Sequence, residues 1–277
     1  MESTILNISV IGGGYVGLVT ASCFAYLGHT VRIVEIDTKK AELINKGVPP
    51  IYEEKLEDIL KQTSGKNLSA QSHYEGIDDA DIIFICVGTP PQDDGSADLT
   101  YITRASESIG AALKGSEKYH VITVKSTVPP GTTESVVIPA VMKSLGDTSD
   151  SVGFCMNPEF LREGFAVDDF MKPDRVVIGT QSERAKKTMT ELYGPFVRQG
   201  NPVYFMDERS AELTKYAANA FLATKITFMN EIANLCERVG ANVDSVRIGI
   251  GTDDRIGKRF LFAGIGYGGS CFPKDVM

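Results

Sequence analysis

Metal ligands and disulfide partners are scarce in this sequence of 277 residues. The three histidines lie far apart, the five cysteines are scattered and odd in number, and no CxxC or HxxxH spacing occurs. Because a zinc site needs clustered Cys and His ligands, we expect no metal site. Scattered cysteines in an odd number are typical of reduced thiols, so we expect a reducing compartment and a cytoplasmic protein.

Long apolar runs and a basic excess are missing too. No stretch of about 18 apolar residues suggests a membrane span, and residues 1–14 lack the basic start and cleavage site of a signal peptide. A net charge of -8 argues against a nucleic-acid partner, because phosphate binding needs clustered Lys and Arg. With 43% hydrophobic and 23% charged residues, the composition is typical of a globular protein of one large or two ordinary domains.

Short β-branched runs alternate with longer helical patterns in the first part of the chain. The strand-like runs are 8–11, 31–36, 81–87, 120–124, 152–156, 175–179 and 202–206. This alternation predicts an α/β fold with a Rossmann-type doubly wound parallel sheet. From about Asp207 to Val239 neither Gly nor Pro occurs, which predicts one long central helix that spans two domains or forms a dimer interface. We therefore divide the chain into a dinucleotide-binding domain, 1–206, and a region 207–277 that carries the helix and a cysteine loop.

A glycine-rich turn follows the first predicted strand. Gly12, Gly14 and Gly17 form GxGxxG between a strand and a helix, the context that a dinucleotide-binding loop requires. Glu35 ends the next strand, where an acid binds the adenine-side ribose hydroxyls and repels the extra phosphate of NADP, so NAD is favoured. Asp37 is the alternative acid if the strand runs longer; otherwise it caps the helix that starts near Thr38.

Two later strands end in small hydroxyl residues at the edge of the sheet where ligands bind. Thr89 lies in Val87-Gly88-Thr89-Pro90, and Thr127 lies in the segment 125–132. In open α/β sheets, ligands bind at the carboxyl ends of the strands. Each segment is equally compatible with an ordinary βα turn.

Charged pairs at helical spacing indicate a chemical site. In the segment 157–164, Asn157 and Pro158 are typical of a helix start, which would place Glu159 and Glu163 one turn apart, although such acids are often only dipole partners. Lys215 and Asn219 share the same spacing on the long helix, where a solvated stripe is the plainer interpretation.

Cys271 lies in the glycine-rich segment 266–275, which also contains Lys274. Glycines leave backbone room for a substrate and supply N-H groups to a developing oxyanion, while a nearby lysine favours the thiolate. Cys271 is therefore a candidate nucleophile, with a buried structural cysteine as the alternative. The other four cysteines lie in apolar patterns and are expected to be structural.

Six ordered segments along the chain carry a family resemblance. They are GGGYVG (12–17), VGTPP (87–91), KSTVPPGT (125–132), NPEFLREG (157–164), ELTKYAANAFLATKITFMNE (212–231) and GYGGSCFPKD (266–275). With these segments the chain resembles the UDP-glucose/GDP-mannose dehydrogenases. The resemblance implies an N-terminal Rossmann domain, a long helix that forms a homodimer, and a C-terminal domain for the nucleotide sugar that has no counterpart in these residues. It also implies a chain that binds NAD but turns over poorly or not at all.

The implied reaction is a four-electron oxidation of a sugar C6 alcohol to a carboxylate with two NAD and one water. Cys271 would form a thiohemiacetal and then a thioester. Lys215 and Asn219 would stabilise oxygen charge. The remaining implied roles are water ordering for Asp275 and Thr127, assistance to hydrolysis for Glu159, and a position facing the nicotinamide for Glu163.

The resemblance further implies two sets of ligand contacts. Those expected around NAD, besides the loop glycines and Glu163, are Tyr15, Val16, Glu35, Lys40, Thr89 and Thr127. Those expected near the nucleotide sugar, besides Lys215 and Asn219, are Phe160, Leu161, Arg162, Arg255, Phe260, Leu261 and Gly268.

Ser270 bears on the choice of sugar. Relatives that act on N-acetylated sugars tend to have His before the cysteine, and the segment 252–262 resembles the UDP-glucose branch more than the GDP-mannose branch, so UDP-glucose is favoured. Ala263 departs from the family, since many bacterial members carry Pro there. The alternatives are a GDP-mannose or UDP-N-acetylhexosamine 6-dehydrogenase, or a dimerising NAD-binding module without turnover. A simple two-electron alcohol dehydrogenase would not need Cys271.

Overall fold

The computed structural model describes residues 4–146, 149–197, 200, 202–269 and 272–276. The strands are β1 (Asn7–Ile11), β2 (Thr30–Val34), β3 (Leu68–Gln71), β4 (Ile82–Ile85), β5 (His120–Val124), β6 (Val152–Met156), β7 (Val176–Gly179) and β8 (Val203–Met206). The helices are α1 (Tyr15–Tyr26), α2 (Thr38–Asn45), α3 (Leu56–Thr63), α4 (Thr100–Ala112), α5 (Ile138–Leu145), α6 (Ala166–Met171), α7 (Glu183–Val197), α8 (Glu208–Val239), α9 (Val243–Gly251) and α10 (Phe272–Val276).

The eight strands form one sheet in the order β3-β2-β1-β4-β5-β6-β7-β8. All neighbouring strands are parallel except β6 and β7, which pair antiparallel. The predicted doubly wound α/β fold, followed by a long helix, is thereby confirmed. Strand order reverses between β1 and β4, and the crevice at such a switch point is where open α/β sheets bind ligands.

Buried strands separate two apolar layers. Along β4, Ile82 and Phe84 pack with residues of α1, α3, α6 and α7, whereas Ile83 and Ile85 pack with residues of α4 and α5. Because side chains alternate across a strand, a continuous apolar run covers both faces of the sheet. This explains why β4 is wholly apolar in sequence.

Two compact units make up the chain. The first comprises Met1–Thr89 and Ala97–Leu213, and the second comprises Pro90–Ser96 and Thr214–Met277. The predicted long helix is present as α8, which begins at Glu208 and ends at Val239. Among the described residues, no helix combines the length and apolar character that a membrane span requires.

The helix expected to start at Asn157 is absent, so that prediction was wrong. The Asn157 side chain instead forms buried hydrogen bonds: its amide donates to Val177 O (2.8 Å), and its oxygen accepts from Tyr193 OH (2.6 Å). The chain then turns at Gly164, whose φ is +85°, and α6 begins only at Ala166. Glu159 and Glu163 therefore do not lie one turn apart on a helix.

Candidate active site

The three glycines of the GxGxxG loop serve different purposes. Gly12 has φ +99°, and a Cβ there would lie 2.8 Å from Cys86 O on the neighbouring strand segment. A Cβ on Gly17 would lie 1.9 Å from Gly12 O, so α1 can approach the end of β1 only without a side chain there. Around Gly14 no atom lies within 4 Å of such a Cβ. The loop therefore keeps open space at the start of α1, where backbone N-H groups can meet a pyrophosphate.

Glu35 is buried at the end of β2 and holds this loop in place. Its Oε2 accepts from Gly13 N at 2.8 Å, and its Oε1 accepts from Asp37 N at 2.9 Å. A carboxylate has about four lone-pair sites, so these bonds leave capacity for ribose hydroxyls. Asp37 caps α2 by accepting from Lys39 N (3.0 Å) and Lys40 N (3.3 Å), which confirms the capping interpretation.

The segments after β4 and β5 are joined by hydrogen bonds. Thr89 Oγ1 donates to Thr127 O at 2.8 Å, and Ser126 Oγ donates to Val87 O at 2.6 Å. The two threonines that the sequence singled out therefore lie together, in the segments that follow the adjacent strands β4 and β5. They lie at the edge of the sheet where the dinucleotide loop also lies.

Glu212 supports the second of these segments and was missed by the sequence analysis. Its buried carboxylate accepts from Gly131 N, from Thr133 N (2.8 Å) and from Thr133 Oγ1 (2.6 Å). Burial raises the pKa of Glu212. The contacts span about 80 residues of sequence, so no local pattern could have indicated them.

Residues 159–164 form an ordered non-helical segment. Glu159 is buried, and its Oε2 accepts from Leu161 N at 2.6 Å. Arg162 donates to Asp169 from its backbone N (2.9 Å), Nε (2.9 Å) and Nη2 (2.6 Å), while the guanidinium of Arg175 lies 3.6 Å from the centre of the Phe160 ring. Glu163 is exposed.

Tyr15 links this segment to the dinucleotide loop through an acid that the sequence analysis also missed. The Tyr15 hydroxyl donates to Glu53 and accepts from Gly164 N at 3.1 Å. Burial and the neighbouring Glu53 carboxylate raise the pKa of Tyr15.

The second unit contains four of the predicted catalytic residues, of which the structure describes three. Lys215 and Asn219 are both buried on α8, and Asn219 Nδ2 donates to Asp275 Oδ2 at 2.7 Å. A solvated stripe is thereby excluded for these two side chains. Cys271 and Ser270, which precede α10, lie outside the described residues.

The predicted substrate residues of the second unit have different surroundings. Leu261 is buried, Gly268 is exposed, and Phe260 adopts φ +64°, an unusual conformation for a bulky residue. The exposed guanidinium of Arg255 donates to Asp253 (2.6 Å from Nη2 to Oδ2), and this contact raises the pKa of Arg255.

The cysteines that the structure describes are buried and form no disulfides. Burial raises the pKa of Cys86 and of Cys155 to about 12, so their thiols stay protonated and unreactive near neutral pH. No cluster suited to a metal ion occurs in the part of the chain that the structure describes.

Comparison with known families gives two matches along the chain. The NAD binding domain of the UDP-glucose/GDP-mannose dehydrogenase family matches residues 6–197, and the central domain of the same family matches residues 209–277. Together they cover most of the chain. NAD is therefore its cofactor, as the loop and Glu35 indicate.

Similar proteins with known names belong to the same group. UDP-glucose 6-dehydrogenase of Pseudomonas aeruginosa is 49% identical over 274 residues, which is 98% of this chain and 60% of that protein. The structure of a UDP-glucose dehydrogenase from Pyrobaculum islandicum has a TM-score of 0.93 and 44% identity, over 99% of this chain and 63% of that one. A GDP-mannose dehydrogenase structure from Pseudomonas aeruginosa has a TM-score of 0.86 and 37% identity, over 97% and 62%. The chain thus spans about 60% of the length of the curated relatives it matches.

Proposed function

The chain belongs to the UDP-glucose/GDP-mannose dehydrogenase family, and we propose that it is the NAD-binding and central part of an enzyme that oxidises UDP-glucose to UDP-glucuronate. The observation that carries the proposal is the buried arrangement of Lys215, Asn219 and Asp275. Burying charged and amide groups is unfavourable unless they are hydrogen-bonded or paired. Polar side chains held in this way suit a reaction in which charge develops on oxygen, because they can stabilise that charge.

NAD fits the loops of the first unit. The open space at Gly14 and the backbone of Tyr15, Val16 and Gly17 suit a pyrophosphate, and Glu35 with Lys40 would hold the adenine-side ribose. Ile36, which the sequence analysis missed, presents an exposed apolar side chain beside Glu35 that suits an adenine ring. Gly12, Thr89, Thr127 and Glu163 complete the proposed site. When bound, NAD accepts the hydride in each of two oxidations.

The chemistry of the chain's own residues begins with the C6 alcohol, which loses a hydride and a proton to give an aldehyde. Lys215 and Asn219 stabilise the charge on the C6 oxygen. The Cys271 thiolate then adds to the aldehyde carbon, forming a C-S bond while the oxygen takes a proton. Loss of a second hydride and a proton converts this thiohemiacetal to a thioester.

Hydrolysis completes the reaction and restores the thiol. Water adds to the thioester carbon, the C-S bond breaks, and the carboxylate leaves. Glu159 assists this step as a base, in an orientation fixed by Leu161 N, while Asp275 and Thr127 order the water. The sum is one alcohol, two NAD and one water converted to one carboxylate, two NADH and three protons.

The substrate contacts are proposals that rest on the family resemblance. The residues proposed to bind the nucleotide sugar are Phe160, Leu161, Arg162, Lys215, Asn219, Arg255, Phe260, Leu261 and Gly268. A second candidate, GDP-mannose, is favoured by the structural similarity to a GDP-mannose dehydrogenase. A panel of UDP-glucose, GDP-mannose and UDP-N-acetylhexosamines, scored by NADH formation and mass of the product, tests the choice. UDP-glucuronate as the main product supports the proposal, and a preference for another sugar overturns it.

A homodimer through α8 is proposed from its exposed apolar side chains. Phe221, Phe228 and Leu235 recur every seven residues and are 65%, 49% and 54% exposed. This spacing places them along one stripe of the helix, and large apolar stripes are typical of helix-helix interfaces. Sedimentation with and without NAD measures the association state.

The alternative to a working enzyme is a dimerising NAD-binding module. The relatives are longer than the matched region, so we propose that the 277 residues by themselves bind NAD and oxidise UDP-glucose slowly. Rapid oxidation by the isolated 277 residues would contradict this part of the proposal.

A further inference from the structure

A buried carboxylate outside the reaction chemistry ties two segments of the first unit together. Glu53 lies in the irregular segment between α2 and α3, and only 5% of it is exposed. Removing a carboxylate from water is strongly unfavourable unless hydrogen bonds replace its hydration. The fold must therefore supply donors to its oxygens.

Three donors converge on this carboxylate. Oε2 accepts from the Tyr15 hydroxyl and from Gly164 N (2.8 Å), and Oε1 accepts from Ala166 N at 2.9 Å. Tyr15 is the first residue of α1, directly after the glycine loop. Gly164 and Ala166 follow Phe160, Leu161 and Arg162, so one side chain holds the proposed sugar segment to the start of the NAD helix.

A neighbouring contact joins the segment that contains Glu53 to α6. Lys55, two residues after Glu53, donates to both oxygens of Asp168 on α6 at 2.6 Å. Both side chains are about half exposed, so water and salt screen this pair. The buried Glu53 contacts are therefore the main connection.

We propose that Glu53 is a positioning residue for the nucleotide sugar, which rests on the function proposed above. Its carboxylate sets the position of residues 160–162 relative to the start of α1. Removal of its charge moves the sugar segment, while the glycine loop keeps its own contacts with β1, β4 and Glu35. Sugar binding then weakens more than NAD binding.

The test compares Glu53→Gln with Glu54→Gln in the 277-residue chain. Glu54 is the exposed neighbour, so the control removes the same charge one residue away. Calorimetric titrations give the dissociation constants of NAD and UDP-glucose, and amide hydrogen exchange gives the protection of 159–166. Glu53→Asp, which keeps the charge and shortens the side chain by one methylene group, serves as the milder variant if Glu53→Gln fails to fold.

For Glu53→Gln we expect the Gly164 and Ala166 amides to exchange about tenfold faster or more, since a charged hydrogen-bond acceptor is lost. We expect UDP-glucose to bind about tenfold more weakly and NAD to bind within about twofold of wild type, with Glu54→Gln unchanged. Equal loss of both ligands, faster exchange throughout the chain, or no change would overturn the proposal. If wild type binds GDP-mannose in place of UDP-glucose, the proposed substrate fails, and exchange confined to 159–166 still decides the positioning role.

Discussion

Substitutions at Gly14 and Gly17 should separate an effect on NAD binding from an effect on stability. For Gly17→Ala, the added methyl carbon would lie 1.9 Å from Gly12 O, where backbone must move. Overpacking of this kind costs about 1–3 kcal/mol or more. For a domain of this size, about 3 kcal/mol lowers Tm by roughly 6–12 °C.

Gly14→Ala meets no atom within 4 Å, and its φ of −69° suits any residue. Lower unfolded-chain entropy gains about 0.4–1 kcal/mol, and the poorer helix cap loses a similar amount. Stability should therefore change by less than about 1 kcal/mol. The methyl group fills the space proposed for pyrophosphate, so we expect NAD affinity to fall by about tenfold or more, equal to about 1.4 kcal/mol.

The assay pairs thermal unfolding without ligand and calorimetric titration of NAD for wild type and both variants. The expected pattern is a lowered Tm for Gly17→Ala, and a normal Tm with weak NAD binding for Gly14→Ala. Normal NAD affinity in Gly14→Ala would refute the assignment of this loop to the pyrophosphate.

The remaining predictions concern association, thiols and pH. Phe228→Glu should shift the sedimenting species from dimer to monomer with an unchanged Tm; a monomeric wild type contradicts the interface. Because the pKa of Cys86 and of Cys155 is raised to about 12, neither should react with a thiol reagent at pH 8 until urea unfolds the chain; modification of either in native protein, mapped by mass spectrometry, contradicts the burial. Burial lowers the pKa of His29 and His120, so the unfolded chain binds more protons below about pH 6.5 and stability should fall as pH drops through that value. Urea unfolding at pH 7.5 and 5.5 measures this, and equal stability would contradict it.

Glycine spacing and apolar runs predicted the larger part of the fold because both act locally. The GxGxxG loop, the two threonine segments and α8 follow from residue types at fixed separations. The short strand β3 was missed because its four residues, LSAQ, lack the β-branched run that marks the others. Asn157 was assigned to a helix cap because its local pattern fits one, yet Val177 and Tyr193 compete for its side chain.

Long-range polar contacts account for the residues that sequence could not indicate. Glu53 bonds to amides 111 and 113 residues away, and Glu212 bonds to amides 79 and 81 residues away. In sequence both are ordinary acids among other polar residues. Only burial distinguishes them, because a buried carboxylate must satisfy its oxygens with whatever donors the fold brings near.

The stoichiometry of oxidation tests the central claim most directly. UDP-glucose is incubated with excess NAD and either wild-type chain or Cys271→Ser, until the slow reaction has consumed measurable sugar, and NADH and products are quantified together. The account predicts two NADH per UDP-glucuronate formed by wild type, with no carboxylate from the variant. One NADH per sugar with free aldehyde as the product, or unchanged carboxylate formation by Cys271→Ser, would contradict it.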